Sequence, residues 1–185
     1  MTILIVGLII FLGLHFIPVF PGVKASIVNR LGEGLYRPVF AIVSIIGFAL
    51  IVYGKIIAHP PVILWTPPDW TRHVAFSLMP VALILLVSAY APGHIRRWVR
   101  HPMLAGTILW SLAHLAANGE LSSLLLFGGF FIWSSVTFVL ALFRETPPPV
   151  VKGWGGDITA VIIGIILTTL LMNFHMYLFG VAIIG

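Results

Sequence analysis

The chain has 185 residues, 60% of them hydrophobic and only 8% charged, with a formal net charge of +5 and no cysteine. A soluble core of this size has no use for so much apolar surface, and several uncharged runs reach the ~18–20 residues that cross a bilayer as a helix. The composition predicts an all-α, polytopic transmembrane helix bundle in one domain over 1–185, and it excludes disulfides, iron–sulfur clusters and thiolate ligation of haem. The sequence pI near 10.1 would suggest nucleic acid in a soluble protein. Here the basic residues fall in short loops between apolar segments, so the bilayer, and no nucleic acid, is the expected partner.

Six hydrophobic segments follow one another: Thr2–Phe20, Pro38–Ile57, His73–Ala91, Pro102–Ala117, Leu121–Phe143 and Asp157–Ile184. The first lacks a positive leader and ends in Phe20-Pro21-Gly22, not in a small-residue cleavage site, so it is expected to be a retained span. The fourth is short, which makes five crossings the alternative to six. Only Asn118-Gly119-Glu120 separates it from the fifth, which predicts a tight antiparallel hairpin. The last is longer than a span needs and is expected to tilt, or to fray beyond Phe174. Thr66-Pro67-Pro68-Asp69-Trp70 shapes the second loop and Thr146-Pro147-Pro148-Pro149 stiffens the fifth. Trp65, Trp70, Trp98 and Trp154 fall near segment ends, as an aromatic belt places them.

Charge sets the expected orientation. The odd loops carry Lys24, Arg30, Arg37, Arg96, Arg97, Arg100, Arg144 and Lys152, against Lys55 and Arg72 on the other side. This bias puts the odd loops in the cytoplasm and both termini outside.

Candidate chemistry rests on histidine. His59 and His94 read as solvated loop residues, and His73, near Asp69 and Arg72, as a boundary residue. His15 and His114 are different, because each is flanked by apolar residues inside a segment. One reading is packing, with the ring bonded to a backbone carbonyl or a serine. The other is ligation: two buried imidazoles on separate spans suit haem b. Zinc fits less well, since all five acids lie near loops. Arg96-Arg97-Trp98-Val99-Arg100-His101-Pro102 also has two readings. It is an orientation signal with Pro102 at a helix start and His101 as its cap, or an anion site for a haem propionate, a lipid phosphate or a cofactor carboxylate.

Four stretches carry a resemblance: Gly13-Leu14-His15; Leu31-Gly32-Glu33-Gly34-Leu35-Tyr36-Arg37; Leu64-Trp65-Thr66-Pro67-Pro68 before Trp70-Thr71-Arg72-His73; and Arg100-His101-Pro102 through Leu112-Ala113-His114 to Asn118-Gly119-Glu120. In these the chain resembles the NnrU family of bacterial integral membrane proteins along nearly its whole length. The resemblance implies a single NnrU-like transmembrane domain associated with denitrification and nitric oxide reduction. The family also includes 15-cis-zeta-carotene isomerase, a membrane haem b protein that isomerises a double bond without net redox change. By position, the resemblance makes His15 and His114 the iron ligands and catalytic residues. It makes His101, with Arg100 and Arg97, the cofactor-binding group. The isomerase has a cysteine just before its Leu-Ala-His motif where this chain has Ser111, so a thiolate switch is absent here.

At a helical rise of about 1.5 Å per residue, His15 lies roughly 7 Å from the cytoplasmic edge and His114 roughly 18 Å. Depth alone would pair His15 with His101, and His114 with His73 or His175. The expected partners are an apolar lipid-soluble substrate or components of nitric oxide reduction. Three other readings stand beside the isomerase: a haem electron-transfer or assembly factor for nitric oxide reduction, an isoprenylcysteine-type methyltransferase suggested by Arg-His-Pro ahead of a glycine, and a scaffold whose histidines are only packed.

Overall fold

The computed structural model describes residues 1–144, 150–151 and 153–180. The expected stiffening at Thr146–Pro149 and the positive charge of Lys152 lie outside these residues. The described chain is helical, without a strand: α1 (Thr2–Phe16) with a 3-10 turn at Ile17–Val19, α2 (Pro21–Leu31), α3 (Glu33–Ile56), α4 (Trp70–Ser88), α5 (His94–Val99), α6 (Pro102–Ala117), α7 (Leu121–Leu142) and α8 (Gly155–Phe179). α1, α3, α4, α7 and α8 are long and apolar enough to cross a membrane, with α1 counted together with its 3-10 turn, and α6 is a shorter apolar helix. At 16 residues, α6 is about 24 Å long, less than a bilayer core of about 30 Å. Its neighbours α4 and α7 cover both its flanks.

The helices pack in the order α3–α1–α7–α6–α4–α8. Close approach depends on glycine where helices cross. A Cβ on Gly54 would strike the Leu4 backbone, and one on Gly7 would come within 2.7 Å of the Ile51 nitrogen, so α1 and α3 touch backbone to backbone. A Cβ on Gly106 would sit 2.8 Å from the Ala82 carbonyl, and one on Gly164 2.6 Å from the Ile84 side chain, which seats α6 and α8 on α4. The core is Leu4, Leu8, Ile51, Leu126 and Phe127, at the junction of α1, α3 and α7. Outward-facing Ile9, Ile42, Ile45 and Ile132 are exposed, an apolar perimeter that lipid covers.

Four expectations change. The first loop is not a loop: Pro21 starts α2, and Gly32, at φ 75°, breaks it from α3. α3 starts at Glu33, ahead of Pro38, because Gly32 supplies a carbonyl to the Tyr36 N–H at 3.0 Å and Glu33 pairs with Arg37 one turn on at 2.9 Å. The third loop contains α5. The last helix does not fray at Phe174; it runs to Phe179, where Gly180 turns left-handed (φ 73°) and returns its N–H to the Met176 carbonyl at 2.9 Å.

The hairpin at Asn118-Gly119-Glu120 forms as expected, and the second loop is stitched onto it. Gly119 O accepts from the Leu64 N–H at 2.8 Å and the Trp65 N–H at 3.3 Å, and the Leu121 N–H donates to Val62 O at 2.9 Å. Beneath this, all three ammonium hydrogens of Lys55 find acceptors: Glu120 Oε2 at 2.7 Å, Ser122 Oγ at 2.7 Å and Ser123 Oγ at 2.9 Å.

Candidate functional site

α7 carries aromatic residues at Phe127, Phe130 and Trp133, spaced three apart so that they form one ridge facing its neighbours. α1 brings His15 against this ridge from one side, and α6 brings His114 from the other. His15 stacks on Phe11 at 4.1 Å and meets Trp133 edge-on at 5.8 Å and Phe40 at 5.3 Å. His114 stacks on Phe127 at 4.3 Å and tilts against Trp110 at 5.1 Å.

Both rings are fixed in the same manner. His15 Nδ1 is 2.7 Å from Phe11 O and His114 Nδ1 is 2.9 Å from Trp110 O, each one helical turn back. A carbonyl only accepts, so each Nδ1 carries the hydrogen. In the neutral tautomer this leaves the Nε2 lone pair directed away from the helix's own backbone. Metal-ligating histidines are held this way.

The two imidazoles are linked by a chain of rings, from His15 through Phe11, Phe130 and Trp110 to His114, with Phe130 5.6 Å from Phe11 and 5.4 Å from Trp110. His15 packs at Trp133 and His114 at Phe127, an offset along α7 of about 9 Å at the helical rise. The depth difference expected from the sequence is therefore present in the bundle. His101 packs edge-on at 6.2 Å against Phe138, farther along the same helix. Along α7 the imidazoles thus follow the order His114, His15, His101.

The other named residues divide. His175 on α8 tilts against Phe179 at 4.9 Å. His73 is exposed; only its backbone carbonyl is engaged, by Ser77 Oγ at 2.9 Å. His101 occupies the cap position of α6 but bonds the helix through its backbone carbonyl, to Ala105 N–H at 3.1 Å, with no side-chain cap. Arg97 lies in the last turn of α5. Arg100 follows it at φ 62°, the reversal that separates α5 from α6. Neither arginine side chain makes a hydrogen bond among the described residues. No group of three or more histidine, aspartate or glutamate side chains converges as a metal cage there either.

His94 is not a solvated loop residue. It stacks on Trp154 at 4.0 Å, and Asp157 Oδ2 accepts both its Nδ1–H at 2.8 Å and its backbone N–H at 2.9 Å. Asp157 Oδ1 takes the Ile95 N–H at 2.8 Å, so one carboxylate from α8 caps α5.

Four buried polar atoms lack a partner among the described residues: Ser44 Oγ, Ser111 Oγ, Trp133 Nε1 and Thr137 Oγ1. Trp133 touches His15, Thr137 follows it by one turn, Ser44 follows the His15-contacting Phe40 by one turn, and Ser111 precedes His114 by three residues. Each unpaired buried donor costs about 1–3 kcal/mol, and of the four only Trp133 contributes a ring in contact with an imidazole, that of His15. Sequence reasoning missed the aromatic ridge and these orphans. The three-residue spacing of Phe127, Phe130 and Trp133 was the signal available for the ridge.

A family profile described as "NnrU protein" matches residues 3–183. Comparisons with curated proteins and with solved structures each gave no match. With the profile spanning nearly every residue of an all-α membrane bundle, the chain belongs to the NnrU family.

Proposed function

We propose that this NnrU-family protein holds haem b through half-buried imidazoles in the bacterial cytoplasmic membrane and isomerises an apolar polyene of the 15-cis-zeta-carotene kind. One observation carries the reading: His15 and His114 both donate Nδ1–H to their own helix at 2.7 and 2.9 Å, leaving Nε2 as the ligating atom.

The residues present fit the group. Neutral imidazole is the commonest axial ligand of haem b, the surrounding rings exclude water, and the unpartnered Trp133 Nε1 and Ser111 Oγ supply polar contacts. The ring contacts from His15 to His114 pass through Phe11, Phe130 and Trp110, and each imidazole serves on its own side of Phe130. When bound, the iron supplies a centre able to polarise or transiently oxidise a polyene that is otherwise unreactive. The chain's own part is to fix the imidazoles, to surround them with the rings of Phe127, Phe130 and Trp110, and to admit substrate sideways from the bilayer.

The cation bias supports odd loops in the cytoplasm and both termini outside, provided α6 counts as a crossing. Terminal reporter fusions, active on only one side of the membrane, test this.

The functional test is conversion of zeta-carotene in a carotenogenic host that lacks its own isomerase. Conversion by wild type and its loss in His114→Ala support the enzyme. A haem-loaded protein that leaves the substrate unchanged contradicts it and favours an accessory role in nitric oxide metabolism.

A further inference from the structure

We propose that the groove where α2 meets α3 binds the phosphodiester head of an anionic membrane lipid. The groove is open to its surroundings, with a volume of about 390 Å³, and is lined by Pro18, Lys24, Glu33, Tyr36, Arg37 and Phe40. Its cations come from two helices. Glu33 uses a single oxygen, Oε1, to accept both Arg37 Nε at 3.1 Å and Arg37 Nη2 at 2.9 Å. Lys24 makes no salt bridge among the described residues. Two cations and one carboxylate leave a net charge of +1. That balance suits a phosphodiester, which carries one negative charge, better than a free phosphate dianion. Arg37 Nη1 and the Tyr36 hydroxyl add donors in the same lining.

The apolar half of the groove argues for a lipid. Pro18 and Phe40 form its non-polar wall. α2 buries no residue and holds Phe20 at its entry with Val23 and Leu31 exposed. At 11 residues it is too short to span, and it joins the ends of α1 and α3, the position of a helix lying in the bilayer interface. The groove is therefore at headgroup depth. A bare orientation signal needs positive charge in a loop, but not a lined cleft with donors on two helices.

The experiment uses the full chain, purified and exchanged into nanodiscs of phosphatidylcholine with a minor fraction of phosphatidylglycerol, and counts retained lipids by native mass spectrometry. Wild type should retain phosphatidylglycerol over phosphatidylcholine. Lys24→Gln should weaken this about fivefold, Lys24→Arg should preserve it, and Glu33→Gln, which releases Arg37, should strengthen it. Arg30→Gln, on α2 but outside the groove lining, should leave it unchanged. Equal retention of the two lipids overturns the proposal. So does an Arg30→Gln loss matching that of Lys24→Gln, which would mean diffuse attraction. Displacement of the lipid by millimolar inorganic phosphate would assign the site to the free ion and overturn it equally.

Discussion

Lys55, in the last turn of α3, reaches Glu120 at the start of α7 across 65 residues of sequence, with Nζ to Oε2 at 2.7 Å. With Ser122 and Ser123 completing the ammonium's three bonds, this contact ties α3 to the α6–α7 hairpin that positions His114. Lys55→Met strands Glu120 and two serines. It should cost about 1–2 kcal/mol, toward the low end for a charged hydrogen bond because water reaches the pair. Thermal unfolding in detergent measures it.

The same contact has a pH signature. The bond from Lys55 holds the Glu120 carboxyl below its ordinary range, against a smaller opposing effect of burial. A depressed carboxylate contributes its full stabilisation above its unfolded pKa, about 4.3, and loses it as pH falls through the folded value. The gap in unfolding temperature between wild type and Glu120→Gln should be constant near neutrality and close below pH ~4. A gap that widens on acidification contradicts this sign.

Backbone contact between α1 and α3 predicts intolerance of side chains at the glycine crossings. Gly54→Leu meets the Leu4 backbone, and Gly7→Leu meets Ile51 N and Leu50. Each should destabilise by about 1–3 kcal/mol or more through overpacking. Gly155→Leu, whose Cβ meets nothing within 4 Å, should be tolerated. Unfolding temperatures of the three variants decide it.

His94 and Asp157 form a clasp between α5 and α8, with side chains 25% and 9% exposed. Asp157→Ala removes the acceptor for two backbone N–H groups of α5 and should loosen that helix locally. Faster amide exchange over His94–Val99, with red-shifted emission from Trp98 and Trp154, is the expected readout. Exchange unchanged from wild type would mean that α5 does not depend on this cap.

Much of the bundle was legible in the sequence because bilayer spans announce themselves by length and hydropathy. Asn118-Gly119-Glu120 marked its turn by brevity alone. α2 and α5 were not legible, since short helices rich in Lys, Arg and Asn have the composition of loops, and the break between α2 and α3 is a backbone angle at Gly32. His15 and His114 stood out because a polar ring at that depth is rare. Their separation by Phe130 could not be read, because it depends on α1 and α6 both packing on α7. Likewise, His94 looked solvated because Trp154 and Asp157 are about sixty residues away in the chain.

The central claim is that the imidazoles held by Phe11 O and Trp110 O are iron ligands. The direct measurement is the Soret band of the purified full chain, expressed with haem precursor supplied, for wild type, His15→Ala, His114→Ala and His175→Ala. The account predicts a band in wild type that weakens in His114→Ala and in His15→Ala, each removing the share held on its own side of Phe130, and that persists in His175→Ala, with helicity by circular dichroism unchanged. A folded wild type that takes up no haem would contradict it, as would full haem content in both His15→Ala and His114→Ala.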